Sequence, residues 1–263
     1  MITSTSNPQV KNLTLLVKKA KERKNQGVFV VEGTKMVMEA PSAWVKQVYV
    51  SETYEKTLEH AEDLRKLRQS GVAVETLSDS VFKSVSDTQT PQGIMALVTM
   101  PCYKMEDLLQ GEKTHLLILE SIQDPGNLGT MVRTGEGAGV TGVIMNKTTV
   151  DLFNPKTIRS TMGSIYRVPF YITEDLEETL NDLKAAGVNL YAAHLKGKAS
   201  YDDPDYTKPT AFLIGNEGNG LTDEIADLAD TYIRIPMEGQ VESLNAAISA
   251  TLLMYETNRQ RRK

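Results

Sequence analysis

The sequence predicts an α/β protein, with a C-terminal domain built on a mostly parallel sheet preceded by a small α/β domain. Three observations carry this expectation. Short apolar runs of strand length alternate with helix-patterned segments along the chain, and such alternation favours a parallel sheet covered on both faces. Three glycine- and asparagine-rich turns in the second half each follow a strand-like run and open a helix-like one. Pro101 and the polar stretch from Glu106 to Lys113 read as a linker between parts of ordinary domain size. The expected boundaries are therefore 1–105 and 106–263.

Residues 8–24 read as one helix, with Leu13, Leu16, Val17 and Ala20 on one face and lysines on the other. Strands follow at Val28–Val31, Val45–Val50, Val72–Val74 and Ile94–Val98, with helix-like segments around Met36, Leu64 and Val81. Beyond the linker, strands are expected at Leu116–Leu119, Val143–Met145, Val168–Ile172, Leu190–Ala193, Ala211–Ile214 and Tyr232–Ile235. Helices are expected over 127–138, 155–162, 175–186, 222–228 and from Ser243 to Asn258.

In the first turn Asn127 can cap the following helix, where Gly129, Arg133 and Gly137 share one face at fourfold spacing. An interior helical glycine costs about 1 kcal/mol relative to alanine, so the glycines imply a close approach by nucleic acid, a partner subunit or the protein's own sheet. The second turn, Gly215-Asn-Glu-Gly-Asn-Gly220, follows a buried-type strand and surrounds one charge, Glu217. Its glycines do not follow the dinucleotide order and no P-loop Gly-Lys-Ser/Thr is present, which counts against NAD and ATP sites. The third segment runs from Ile235 through Gly239 to a helix for which Ser243 is a natural N-cap. Leu244, Ala247, Ile248, Thr251, Leu252 and Tyr255 form an apolar stripe on that helix, extended by Leu253 and Met254, which marks a core or subunit interface. Asn245 sits in its first turn.

Composition narrows the function classes. The 263 residues are 40% hydrophobic and 24% charged. No run approaches a membrane span and the N-terminus lacks a signal-peptide pattern, so a cytoplasmic protein is expected. A single cysteine, Cys102, and three scattered histidines leave no metal-ligand cluster. The formal net charge of −5 is uneven: residues 1–100 carry thirteen Lys and Arg against eleven acids. Lys11, Lys18, Lys19, Lys21, Arg23 and Lys24 crowd into one stretch, and Arg259, Arg261, Arg262 and Lys263 end the chain. Either cluster can follow a phosphate backbone, or be a solvated face and a frayed tail.

Taken together, the three turns resemble the motifs of the SpoU family of RNA ribose 2'-O-methyltransferases, within the SPOUT superfamily. The resemblance lies in Asn127-x-Gly-x-x-x-Arg133-Thr, Ile214-Gly-Asn-Glu-Gly-x-Gly220 and Ile235-Pro-Met-x-Gly-x-Val-x-Ser-Leu-Asn245. Asn7-Pro8, the lysine-rich helix and Phe29-Val-Val-Glu-Gly33 resemble the small substrate-binding domain that precedes the catalytic domain in many members.

The resemblance implies a deep trefoil knot, which general topology rules would not suggest, and a homodimer. It implies S-adenosylmethionine as cofactor, held by Gly215, Asn216, Gly220, Ile235 and Leu244. Arg133 is implied as the residue that helps remove the 2'-hydroxyl proton, with Asn127, Glu217, Ser243 and Asn245 arranging it and the substrate. Because a guanidinium normally stays protonated, Arg133 can instead clamp a phosphate and stabilise alkoxide charge, and in a dimer it can serve the neighbouring site. Lys11, Lys18, Lys19, Arg23 and Arg133 are the expected RNA contacts. The two-domain layout resembles ribosomal-RNA enzymes; a transfer-RNA enzyme and a non-catalytic RNA-binding or ribosome-assembly protein on the same fold are the alternatives. Cys102, His115 and His194 are assigned no role.

Overall fold

A computed structural model describes residues 1–262 and divides into two units, Met1–Cys102 with Phe153–Tyr166, and Tyr103–Leu152 with the chain from Arg167 onward. The first unit thus includes a segment from the second half of the sequence. Its sheet comprises β1 (Val28–Glu32), β2 (Val45–Ser51), β3 (Ala73–Leu77) and β4 (Ile94–Thr99), in the order β1-β4-β2-β3. β4 runs antiparallel to β1 and β2, while β2 and β3 are parallel, so this sheet is mixed. The strand expected at Val72–Val74 instead runs to Leu77. Its end was obscured because an edge strand is only half buried and tolerates Glu75 and Thr76.

The helix expected over 8–24 is two helices, Pro8–Lys18 and Ala20–Gln26, with Lys19 extended between them. Asn7 caps the first by accepting from the Gln9 amide, with Pro8 at its opening position. Val10, Leu13 and Leu16 bury its apolar face against Val30, Tyr49 and Phe82. Gly27 then takes a left-handed conformation, φ 62°, that turns the chain into β1.

In the second unit seven strands form one sheet with every pairing parallel. They are β5 (His115–Leu119), β6 (Gly142–Asn146), β7 (Phe170–Thr173), β8 (Asn189–Ala193), β9 (Ala199–Ser200), β10 (Thr210–Ile214) and β11 (Thr231–Arg234). The order is β7-β6-β5-β10-β8-β11-β9. Fully buried β5 and β10 lie side by side at its centre, which is why their sequences are unbroken apolar runs. β9, two residues long, offered no pattern to read.

The stretch expected as a linker is anchored. Met105–Leu108 is a short helix whose Leu108 is fully buried, and a Cβ at Gly142 would lie 2.3 Å from Leu108 Cγ. A polar average over Glu106–Lys113 concealed that one apolar anchor. The C-terminal helix, Ala246–Arg261, packs on the Pro125–Ala138 helix. Gly135 faces Met254, Gly137 lies against the Tyr255 hydroxyl, and Asn258 donates to the Ala138 carbonyl at 3.2 Å. The close approach expected at these glycines therefore comes from within the chain.

Candidate active site

Reading along the sheet, the chain moves outward from β5 to β6 and β7, then crosses to β8 and the later strands on the other side. Such a reversal opens a crevice at the carboxyl ends of the strands. The three motif turns are the loops that leave β5, β10 and β11 there.

The loop after β5 is held in an uncommon conformation. Ser121 has φ 57°, unusual for a residue with a Cβ. Its amide donates to Asn146 Oδ1 at 2.9 Å and its carbonyl accepts from Asn216 Nδ2 at 2.9 Å. The next two donors, the amides of Gln123 and Asp124, point to Glu217 Oε2 and Oε1 at 2.9 and 3.0 Å. Asp124, not Asn127, caps the helix, by accepting from the Asn127 amide at 2.8 Å. The Asn127 side chain is thereby left to bridge. Its Nδ2 donates to Glu217 Oε1 at 3.1 Å and its Oδ1 accepts from Asn245 Nδ2 at 3.0 Å. Asn245 Oδ1 in turn accepts from the amides of Ala247 and Ile248, so Asn245 rather than Ser243 is the N-cap of the last helix. Side chains separated by some ninety and more residues form one chain of bonds, Glu217 to Asn127 to Asn245.

Partial burial alone would raise the Glu217 pKa. The donors Gln123 N, Asp124 N and Asn127 Nδ2 outweigh it and hold the carboxyl below its ordinary value. Glu217 is therefore a fixed anion at neutral pH.

The turn after β10 is dictated by contact. A Cβ on Gly215 would lie 2.1 Å from Gly220 C and Leu221 N, so only glycine fits. Asn216 and Gly220 exchange backbone hydrogen bonds, with Gly220 at φ 74°, and Asn216 Oδ1 accepts from Gly218 N and Asn219 N. Below it, buried Glu120 accepts from the Thr222 amide and hydroxyl, tying the following chain to the end of β5.

Two adjoining clefts result. One, of about 240 Å³, is lined by Gly215, Asn216, Gly220, Ile235 and Leu244, the five residues expected to hold a cofactor, and also by His194, Leu195 and Met237. The other, of about 700 Å³, is lined by Asn127, Glu217, Ser243 and Asn245, and also by Gln123 and Asp124. Glu217, Ser243, Leu244 and Ala246 belong to both. Arg133 lines neither; it is exposed two turns along its helix and makes no ion pair among the described residues. The second basic cluster is largely committed to the fold: Arg259 pairs with Glu256, and Arg261 donates to the carbonyls of Tyr206, Lys113, Thr114 and Lys208. Lys263 lies outside the described residues. Arg23, expected on RNA, is 3% exposed and donates to the carbonyls of Leu16 and Val17; burial removes it from any direct contact.

Residues 114–255 match the SpoU rRNA Methylase family, and residues 7–96 match the MRM3-like substrate binding domain. The chain belongs to the SpoU family. It is 36% identical over 256 residues to the 23S rRNA (guanosine(2553)-2'-O)-methyltransferase RlmP of Bacillus subtilis, covering 97% of each chain. Among solved structures, it superposes with a TM-score of 0.86 on an AdoMet-bound rRNA methyltransferase from Sinorhizobium meliloti, 32% identical, over 98% of this chain and 97% of that one. The A. aeolicus TrmH/SpoU tRNA modifying enzyme, 28% identical, covers 60% of this chain and 80% of its own with a TM-score of 0.52.

Several residues lining the clefts of this SpoU chain were not singled out from the sequence. Gln123 and Asp124 contribute backbone amides, which carry no side-chain signal. His194 and Leu195 follow β8, and their position at a strand's carboxyl end was the available clue. His115, the first residue of β5, is buried, and desolvation and the nearby Arg261 charge push its pKa down to about 3. At neutral pH it is uncharged.

Proposed function

We infer that this chain transfers a methyl group from S-adenosylmethionine to a ribose 2'-hydroxyl of ribosomal RNA, in the cytoplasm. The observation that carries the reading is the pair of adjoining clefts at the carboxyl ends of the strands, sharing the wall formed by Glu217, Ser243, Leu244 and Ala246. The smaller suits the cofactor in its chemistry. Ile235, Met237 and Leu244 offer apolar surface for adenine, and the backbone around Gly215, Asn216 and Gly220 offers amides and carbonyls at close range. The fixed negative charge of Glu217 complements a cationic sulfonium.

S-adenosylmethionine supplies an activated methyl, so the protein's task is to align the attacking hydroxyl and assist loss of its proton. Asn127, Ser243 and Asn245 are suited to orienting the ribose, since amide and hydroxyl groups both donate and accept. Glu217 locks the Gln123–Asn127 loop in the shape this requires. Arg133 is assigned to stabilising the developing alkoxide or the adjacent phosphate. Its exposure and its absence from the lining of both clefts of its own chain support a role in the site of a second copy. A homodimer is further supported by Ile248 and Tyr255, 50% and 44% exposed, on the face of the last helix opposite buried Ala247, Ala250, Leu253 and Met254.

The reading includes the knot of the family: β10 and β11 enter between strands already in the sheet, and the last helix returns to the Pro125–Ala138 helix. Residues 1–105 are assigned to substrate binding, with Lys11, Lys18 and Lys19 on RNA. Ribosomal RNA is favoured over transfer RNA because the likeness to RlmP extends through both parts of the chain.

Methyl transfer from labelled S-adenosylmethionine to undermethylated RNA, fractionated and digested to nucleosides, tests the reading. A 2'-O-methylated nucleoside in the ribosomal fraction is the expected product. Label in transfer RNA alone would move the target, and failure to bind the cofactor would refute the enzymatic role.

A further inference from the structure

We propose that Pro8–Gln26 is a preorganised basic hairpin that seats the RNA backbone, and that buried Arg23 is the positioning residue that holds its shape. The proposal rests on the reading of RNA as substrate and concerns how the first unit grips it. An extended Lys19 separates the two helices with neither glycine nor proline at the break. What fixes the bend is a pair of ties. Arg23 Nη1 donates to the carbonyls of Leu16 and Val17 at 2.6 and 3.1 Å, groups that a helix C-terminus leaves without intrahelical partners. Asn12 and Gln26 exchange reciprocal amide bonds at 3.1 and 2.9 Å. One tie joins 23 to 16–17 and the other joins 26 to 12, so the second helix folds back along the first with Lys19 at the bend.

The bend gathers positive charge that the chain leaves uncompensated. Lys11, Lys18, Lys19, Lys21 and Lys24 are exposed, and among the described residues none has an ion-pair partner. Elsewhere in the same unit, Lys35, Lys56 and Lys66 each meet a glutamate one helical turn away. Only Glu22 interrupts the basic stretch. The inner face of the first helix is committed to the core through Val10, Leu13 and Leu16, so the hairpin cannot roll to hide its lysines. A polyanion matches such a surface, because releasing its counterions favours binding. Arg23, whose charge points inward, contributes geometry instead. Held at one bend, the lysines lose less freedom when phosphates arrive.

The test measures binding of unmodified, in vitro transcribed ribosomal RNA to the full-length protein across a salt series. Replacing Lys18, Lys19 and Lys21 together with glutamine is expected to reduce the slope of log Kd against log salt by about 2 to 3, near one counterion per lost contact. S-adenosylmethionine affinity, read by calorimetry, should not change. An unaltered slope overturns the surface. Arg23→Met is expected to raise the RNA Kd on the order of tenfold by losing charge-assisted bonds, with Arg23→Lys recovering much of it because an ammonium still donates to the two carbonyls. A lower melting temperature with unchanged RNA Kd and salt slope would make Arg23 merely structural and overturn its role. If Arg23→Met does not fold, Asn12→Ala with Gln26→Ala removes only exposed amides: weaker RNA binding supports the hairpin and unchanged binding refutes it. Wild-type RNA binding without methyl transfer would refute the methyltransferase reading and leave the hairpin standing. Methyl transfer with an intact salt slope in the triple variant would do the reverse.

Discussion

The cleft proposed for the cofactor and the Arg133 face belong to the same unit, yet one is closely tied within the chain and the other is open. Around the cleft the polar side chains of the first two loops are partnered: Glu217 is held by Gln123, Asp124 and Asn127, Asn127 by Asn245, and Asn216 by Ser121, Gly218 and Asn219. On the other face Arg133 has no ion pair among the described residues, and Ile248 and Tyr255 remain open. The difference teaches that cofactor binding and catalysis have different structural requirements. On the function proposed above, a single chain is expected to suffice for the first, while the second is expected to need a surface that covers this face.

The largest expected effect breaks the completed side. Gly215→Ala places a Cβ within 2.1 Å of the backbone at Gly220 and Leu221, which no side-chain rotation relieves. Calorimetry should detect no S-adenosylmethionine binding. Gly218→Ala in the same turn meets only Asn216 Oδ1 at 3.5 Å and should bind nearly as the wild type does. Equal loss in both would mean that the turn responds to any added bulk.

Arg133→Ala probes the unfinished side. Turnover should fall by roughly 10²- to 10³-fold, as when one oxyanion donor is removed, with cofactor affinity unchanged in calorimetry. Mixed dimers of Arg133→Ala and Gly215→Ala should recover activity, because one of the two hybrid sites holds an intact cleft beside an intact arginine. No recovery would return Arg133 to the site of its own chain.

Glu217→Gln sharpens the account of the cleft. Glutamine keeps one acceptor oxygen but puts an amide nitrogen in place of the other, so it cannot accept from both the Gln123 and Asp124 amides, and turnover should fall by about tenfold or more as the loop loosens. The sign of the pH dependence follows from the lowered pKa of this carboxyl. Its contribution to stability is complete above the ordinary carboxylate pKa of the unfolded chain and is lost as pH falls through the lower folded value. A pH–rate profile with a limb from Glu217 near neutrality would contradict a fixed anion and make it a proton acceptor instead.

What could be read from the sequence follows the same division. Strands β5 and β10 were legible because burial on both faces demands unbroken apolar residues, and the motif turns were legible because Gly215 admits no other residue. The bond chain from Glu217 to Asn245 was not legible, since it joins positions brought together only by strand order. Caps at Asn127 and Ser243 were expected from residue type alone; Asp124 and Asn245 took those places, because each had a side chain aimed at the first free amides. Arg23 misled because its charge was visible and its burial was not.

A smaller effect is expected at Ile248. With half its surface open, Ile248→Glu costs the isolated chain little, but a buried charge would weaken a dimer interface several-fold or more. Sedimentation at graded concentrations should show dissociation at higher protein concentration than in the wild type. An unchanged association constant would place the interface on another face.

The smallest effect is the most discriminating, because its sign depends on the partner. Gly137→Ala gains up to about 1 kcal/mol of helix propensity, but its Cβ would lie 2.9 Å from the Tyr255 hydroxyl. Tyr255 is 44% exposed, so in a lone chain its ring can swing away and the propensity gain should survive as a slightly raised melting temperature. In a dimer that covers this face the ring is held, the clash remains, and the same substitution should lower the melting temperature. Repeating the melt in the Ile248→Glu background, where association is weakened, should turn a loss into a gain. A substitution whose sign is the same in both backgrounds would show that Tyr255 is equally free in each, and that the open stripe on the last helix is not the surface that completes the site.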